Sequence, residues 1–163
     1  MPNSPLQLLS KQGDRLLLSR SAARGSALFQ DMLENAPLDQ PISLPNLTTT
    51  VLELVVEYLN YYANSALRPS EIQKPLRSND FAELVTEWED QFVDKPHEVV
   101  FELIIAARYL CIPGLLDLAA ARVAGWIKGK TPEEIRRRFN IVNDFTPEEE
   151  QQIRDENKWA EEL

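Results

Sequence analysis

Residues 6–19, LQLLSKQGDRLLLS, indicate how this chain begins to fold. Two leucine-rich segments flank residues 11–14, KQGD, whose glycine suits a tight turn, so we predict a β-hairpin. A further strand signal lies at residues 41–45, PISLP, where apolar and polar residues alternate between two prolines. Because proline cannot donate a hydrogen bond to a neighbouring strand, this short segment is expected to lie at the edge of a sheet.

Helical periodicity dominates the rest of the chain. We expect one helix over residues 21–35, weakened in its first turn by Gly25, and another over 47–62, with Asn46 as its N-cap. Residues 97–110, HEVVFELIIAARYL, are apolar on nearly every side, so we place this helix at the centre of the domain. Further helices are predicted at 82–92 and 115–130. Strands and a helix followed mostly by helices indicate the α+β class.

Residues 63–82 interrupt this periodicity with a mixture of proline, serine, asparagine and charged residues. Such a composition predicts a long, flexible surface loop of about these bounds. The length of 163 residues, 44% of them hydrophobic, otherwise suits one domain or one domain with an appendage.

The net charge of −9 argues against a nucleic-acid partner, because an acidic surface repels phosphate. We therefore interpret Arg136, Arg137 and Arg138 as a solvated face and not as a nucleic-acid site. The richest apolar stretch is interrupted by charges and is too short to span a bilayer, and the N-terminus lacks the pattern of a signal peptide. The single cysteine, Cys111, fits a reducing compartment, so we expect a cytoplasmic and nuclear protein.

The sequence lacks the residue patterns that are typical of catalysis or cofactor binding. It contains no glycine-rich phosphate loop, no paired Cys/His motif for zinc and no nucleophile elbow. A hydrolase built on Cys111 and His97 would need a third orienting group and a pocket, so Cys111 is expected to be a small buried apolar residue. We therefore predict a non-enzyme that has no cofactor and no metal.

The tetrapeptide TPEE occurs at residues 131–134 and again at 146–149, and each copy is a strong helix start. The threonine caps free N–H groups, the proline opens the first turn, and the second glutamate completes a capping box. After the second copy, Ile153 is the one large apolar residue between Phe145 and Trp159. Because a short isolated helix is marginal in water, these apolar residues either pack on the preceding helix or become buried when a partner binds.

Residues 128–162, KGKTPEEIRRRFNIVNDFTPEEEQQIRDENKWAEE, resemble the C-terminal signature of the Skp1 family. ISLPNL at 42–47, Trp88 with Phe92, and FELIIAARYLCIPGLLDLA at 101–119 resemble the same family in the same order. That family links F-box proteins to the cullin of SCF ubiquitin ligases. The resemblance implies a BTB/POZ-like domain over residues 1–127, with a small sheet packed on helices, and C-terminal helices over 128–163 that complete the F-box site.

The resemblance also implies which residues contact the two partners. For the F-box protein, the matching apolar and polar positions are Leu116, Val123, Ile127, Ile135, Phe139, Ile141, Asn143, Asn157 and Trp159. For the cullin N-terminal domain, they are Phe101, Ile104, Arg108 and Tyr109. These apolar surfaces are expected to favour a homodimer when the protein is free.

Two positions leave further interpretations open. Position 108 is often asparagine in the family and is arginine here, which keeps an alternative in which the chain binds F-box proteins in a non-ligase complex without cullin. In some protist members of the family, the proline that matches Pro147 is hydroxylated and then glycosylated, so Pro147 is a candidate modification site. Its place at a helix start accounts for it without any modification and is the default interpretation.

Overall fold

The computed structural model describes residues 4–35 and 40–161. The first and last few positions of the two predicted domains, 1–3 and 162–163, lie outside these described residues. The chain divides into two compact units, an N-terminal unit that ends at Lys128 and a C-terminal unit that begins at Gly129.

A small three-stranded sheet opens the N-terminal unit. Strands β1 (Leu6–Leu9) and β2 (Arg15–Leu18) form the predicted antiparallel hairpin, and Gly13 in its turn has a φ of 90°, which glycine adopts without strain. Strand β3 (Ile42–Ser43) pairs in parallel with β1, so the order is β2-β1-β3 and β3 lies at an edge. The hairpin and the edge strand are confirmed.

Six helices accompany this sheet among the described residues of the N-terminal unit: α1 (Arg20–Ala23), α2 (Ala27–Asn35), α3 (Thr49–Asn64), α4 (Glu87–Phe92), α5 (His97–Tyr109) and α6 (Pro113–Ile127). A 3₁₀ turn at Phe81–Glu83 precedes α4. A small sheet combined with these helices confirms the α+β class.

The first two helices correct the prediction of one helix over residues 21–35. The helix is interrupted around Gly25, where an added Cβ would lie 2.7 Å from Cδ2 of Leu59 on α3. Leu59 thus leaves no room for a side chain at position 25, which a local sequence pattern does not reveal. The second helix begins after Ser26, whose hydroxyl accepts from the N–H of Phe29 at 3.2 Å. The predicted N-cap was also wrong, because α3 begins at Thr49 with Thr48 in the N-cap position and not Asn46.

The core of the N-terminal unit is formed by apolar side chains from the sheet and from the helices around it. The fully buried ones include Leu8 of β1, Phe29 of α2, Leu52 of α3, Leu103 of α5 and Leu115 of α6. Helix α5 buries one stripe of its surface, with Val100, Leu103, Ala106 and Ala107 inside. Its opposite side is exposed, so the helix is not enclosed at the centre of the domain, where its nearly all-round apolar character had placed it.

Residues 65–80 have no regular helix or strand, yet several contacts join them to the helices. The backbone N–H of Ser70 donates a hydrogen bond to the buried carboxylate of Glu89 at 2.9 Å, and Lys74 pairs with Asp117 of α6 at 2.7 Å. The side chain of Leu76 is buried. These contacts place the loop on the helices, and its flexibility stays a prediction.

The C-terminal unit contains α7 (Pro132–Phe139), α8 (Pro147–Glu156) and α9 (Lys158–Glu161). Both predicted capping boxes are confirmed. The backbone N–H of Thr131 donates to Glu134 at 2.8 Å, and that of Thr146 donates to Glu149 at 2.9 Å. None of the described residues in α7 or α8 is buried, so this unit has no apolar core of the kind seen in the N-terminal unit.

Candidate functional site

Helix α5 carries one of two groups of exposed apolar residues. We call Phe101, Ile105, Arg108 and Tyr109 the α5 surface; the exposed fractions of its three apolar residues are 38%, 65% and 48%. Ile104, which was predicted to be part of this surface, is half-buried and packs against the core. Ile105 was missed, although the four-residue steps from Phe101 to Ile105 to Tyr109 were visible in the sequence.

The α5 surface borders a shallow groove between the start of α3 and the turn of the hairpin. Lys11, Thr48, Glu102 and Ile105 are among the residues that line it. The hydroxyl of Thr48 donates a hydrogen bond to Glu102 at 3.0 Å, which ties the start of α3 to the exposed side of α5. An apolar stripe beside polar groups with fixed geometry is a typical protein-docking surface.

The candidate residues on α6 are less exposed than those on α5. Leu116 and Val123 are half-buried and pack against the core, whereas Ile127, at the last turn of the helix, is 42% exposed. The structure therefore leaves Ile127 accessible and uses Leu116 and Val123 at least in part for packing of the N-terminal unit.

The second group of exposed apolar residues lies in the C-terminal unit. Ile135 and Phe139 are half-buried on α7, one turn apart. The other large apolar side chains of this unit are exposed: Ile141 53%, Val142 81%, Phe145 46%, Ile153 41% and Trp159 66%. We call these five the C-terminal apolar residues. Val142, Phe145 and Ile153 were not among the predicted site residues. The sequence signal for them is that they lie in a charged segment with too few apolar residues to form a core, so they are available to a partner.

Asn143 and Asn157 have local hydrogen bonds in this structure. The side-chain oxygen of Asn143 accepts from the N–H of Phe145 at 3.2 Å, which shapes the turn before α8. The side-chain amide of Asn157 donates to the carbonyl of Ile153 at 2.8 Å and ends α8. Their predicted contacts with an F-box protein stay a prediction. Pro147 occupies the first turn of α8 and is exposed.

Two arginines connect α7 to α8. Arg136 lies 3.1 Å from Glu150, and Arg154 lies 3.5 Å from the same carboxylate and also pairs with Glu133. The hydrogen bond from Arg136 is the main cause that holds the pKa of Glu150 below its usual range. Arg136 was predicted to belong to a solvated face together with Arg137 and Arg138. That was wrong, because its side chain is 19% exposed and is paired with a residue fourteen positions away.

Cys111 is exposed, which corrects the prediction of a buried apolar residue. It follows the last turn of α5 in a left-handed conformation, with a φ of 54°, and the N–H groups of Cys111 and Ile112 both bond back to carbonyls of α5. Leu110 and Ile112 occupy the inward positions on either side, so the cysteine side chain points outward. Its sulfur lies 3.9 Å from the carbonyl of Tyr109.

His97 begins α5 and contacts two other residues of that helix. Its Nε2 is 3.1 Å from a carboxylate oxygen of Glu98, and its ring meets that of Phe101 edge to face. Across residues 4–35 and 40–161, no three His, Cys, Asp or Glu side chains are grouped to hold a metal ion. In the same ranges, no helix has the length and apolar content needed to cross a membrane.

Comparison with known proteins identifies the family. Residues 5–64 match the Skp1 family, tetramerisation domain, and residues 113–160 match the Skp1 family, dimerisation domain. The chain is 45% identical to the S-phase kinase-associated protein 1 homolog of Tetrahymena thermophila, over 98% of this chain and 96% of that protein.

Two further relatives match this chain along nearly their full length. The E3 ubiquitin ligase complex SCF subunit sconC of Arthroderma benhamiae is 42% identical, over 96% of this chain and 95% of its own. Suppressor of kinetochore protein 1 of Schizosaccharomyces pombe is 39% identical, over 97% of this chain and 98% of its own. The sheet and helices of the N-terminal unit are thus a BTB/POZ-like fold, as the resemblance implied. The chain belongs to the Skp1 family.

Proposed function

We propose that this chain is the adaptor subunit of an SCF-type cullin-RING E3 ubiquitin ligase, and that it bridges F-box substrate receptors to the cullin scaffold. One observation carries the proposal: two groups of large apolar side chains are exposed, one on α5 and one in the C-terminal unit. Exposed apolar patches of this kind mark protein-interaction sites. A relative of similar length is itself named a subunit of an SCF E3 ubiquitin ligase complex.

The C-terminal unit is the proposed F-box site. Ile141, Phe145 and Trp159 offer large apolar side chains that the unit itself leaves in water. Burial of such groups against an apolar helix of the F-box protein supplies the affinity, and a large aromatic residue is a frequent hot spot in such contacts. Ile127 at the end of α6, in the N-terminal unit, is the most exposed of the three predicted α6 positions, and we propose that it also contacts the F-box protein.

The α5 surface is the proposed cullin site. Phe101, Ile105 and Tyr109 present apolar area, and Arg108 adds an exposed cation beside them. A cation at such a surface selects a partner that offers an acidic or carbonyl group opposite to it. We therefore assign Arg108 to partner selection, with the apolar residues supplying most of the affinity.

The adaptor performs no chemistry of its own in this proposal. Binding two partners at once raises the effective concentration of the substrate receptor near the ligase, which is a proximity mechanism. We propose that it acts in the cytoplasm and the nucleus without a cofactor and without nucleic acid. The exposed apolar residues also support self-association of the free protein.

A calorimetric titration tests the proposal. The protein is first saturated with an F-box fragment and then titrated with the N-terminal domain of a cullin, with Arg108→Asn measured in parallel. We expect micromolar or tighter binding of the cullin domain to the wild-type complex. Binding of the F-box fragment without any cullin binding would overturn the ligase proposal, and failure to bind the F-box fragment would overturn the adaptor proposal altogether.

A further inference from the structure

We infer that Arg136 and Arg154 form a charge clamp that holds α7 and α8 together before a partner binds, and that this clamp sets the affinity for an F-box helix. The second half of this inference rests on the proposed function, and the first half concerns the free chain alone. The contacts that carry it all lie within the C-terminal unit.

The described residues of α7 and α8 form no apolar core. None of the described residues in α7 or α8 is buried, and Ile135 and Phe139 of α7 are half-buried. Helix α7 has 8 residues and α8 has 10. Helices of that length are marginal in water on their own, so another interaction has to keep them formed and together.

The charged side chains of α7 and α8 form one connected set of ion pairs. A carboxylate oxygen of Glu150 on α8 lies 3.1 Å from the guanidinium of Arg136 on α7. The same oxygen lies 3.5 Å from the guanidinium of Arg154 on α8. Arg154 also pairs with Glu133 in the first turn of α7. The two arginines thus reach across the helix pair in opposite directions and share one carboxylate. Asn143, in the turn between the helices, adds a contact to Glu150 at 3.5 Å.

The strength of these ion pairs depends on how they are connected and on how exposed they are. A single exposed ion pair contributes little, but charges that share partners in a network contribute more. The central pair is also the most sheltered, because the side chains of Arg136 and Glu150 are 19% and 26% exposed. Because no residue of α7 or α8 is buried, this network contributes a large share of what holds the two helices together.

The charge clamp also affects how this unit binds a partner. A charge clamp holds the helices without covering Ile141, Phe145 or Ile153, which stay exposed for a partner. Helices that are already in place cost less entropy to bind, so the clamp raises affinity through preorganisation. Since salt screens exposed charges, binding to the apolar surface is expected to weaken as ionic strength rises.

Hydrogen exchange of the free, full-length chain and calorimetry with an F-box fragment test the clamp. We compare wild type with Arg136→Gln and Arg154→Gln, and we use Arg137→Gln as the control. Arg137 is exposed on the same helix, so its substitution removes the same charge without touching Glu150 or Glu133. Arg154→Lys retains the charge and serves as the rescue variant.

We expect faster amide exchange in α8 for both clamp variants and an F-box affinity about two- to fivefold lower at low salt. The difference from wild type should shrink at high salt, Arg137→Gln should behave like wild type, and Arg154→Lys should recover most of the protection. Unchanged exchange in both clamp variants, or an equal effect of Arg137→Gln, would overturn the inference. Failure of the wild-type chain to bind the F-box fragment would overturn the proposed function and not the clamp, because hydrogen exchange is measured on the free chain.

Discussion

The hydroxyl of Tyr62, near the end of α3, donates a hydrogen bond to the buried carboxylate of Glu89 on α4 across 2.7 Å. The same carboxylate accepts from the backbone N–H and the hydroxyl of Ser70, at 2.9 and 2.5 Å, and from the N–H of Thr86 at 2.9 Å. One side chain therefore joins α3, α4 and the loop at 65–80. It satisfies donors that burial would otherwise leave without acceptors.

Replacement of Glu89 by alanine is expected to destabilise the N-terminal unit by about 1–3 kcal/mol or more, because several donors lose their acceptor. Chemical denaturation followed by tryptophan fluorescence measures the change. Glu87→Ala on the same helix is the control. Glu87 is exposed and its side chain accepts one hydrogen bond, from Gln91 at 3.3 Å, so little loss is expected. Equal losses in the two variants would contradict this account.

Acid is expected to weaken the same contact. Burial alone would raise the pKa of Glu89, but the hydrogen bonds from Ser70, Thr86 and Tyr62 outweigh it and lower the pKa. Because the folded-state pKa lies below the unfolded value of about 4.3, the stabilisation is complete above that value and is lost as pH falls through the folded pKa. The stability difference between wild type and Glu89→Gln should therefore shrink as pH falls from about 7 to about 3. A constant difference would show that Glu89 does not titrate as argued.

Two glycines of the N-terminal unit should respond in opposite ways to alanine. A Cβ at Gly25 would lie 2.7 Å from Cδ2 of Leu59, so Gly25→Ala is expected to destabilise by about 1–3 kcal/mol. A Cβ at Gly125, within α6, would meet Phe81 at 3.7 Å, which is an ordinary contact. Gly125→Ala is therefore expected to stabilise by about 0.4–1 kcal/mol. Thermal unfolding of both variants checks the signs, and the same sign for both would refute the packing argument.

The α5 surface is tested by Ile105→Asp. Loss of a central apolar contact is expected to cost about 2 kcal/mol or more, roughly thirtyfold in affinity for the cullin domain. Leu17→Asp is a matched control, because Leu17 on β2 is 60% exposed and Ile105 is 65% exposed. Both variants should fold normally and bind the F-box fragment like wild type. If Leu17→Asp weakened cullin binding as much as Ile105→Asp, the effect would come from added charge and not from this surface.

Local features of the fold could be predicted from the sequence because neighbouring residues determine them. Gly13 in the hairpin turn and the capping boxes that begin at Thr131 and Thr146 are cases in which a few adjacent residues fix the geometry. Features that depend on distant residues could not be predicted. The lack of room for a side chain at position 25 depends on Leu59, and the pairing of Arg136 depends on Glu150.

The candidate site likewise contains residues that the sequence indicates and residues that only the packing of the helices determines. Resemblance to the family indicated Phe101, Tyr109 and Trp159, and all three are exposed in the structure. Ile104 and Ile105 are adjacent and chemically identical, and only the rotation of α5 against the core determines that Ile105 is the exposed one. The hydrophobicity of a residue does not show whether it packs in the core or stays exposed for contact with a partner.

The central claim is that this chain bridges two proteins, and the mass of a three-component mixture tests it most directly. Sedimentation velocity is measured for an F-box fragment and a cullin N-terminal domain, with and without this protein. The account predicts one complex that contains one copy of each component, formed when this protein is present and absent when it is omitted. Two separate binary complexes that never combine, or association of the F-box fragment with the cullin domain without this protein, would contradict it.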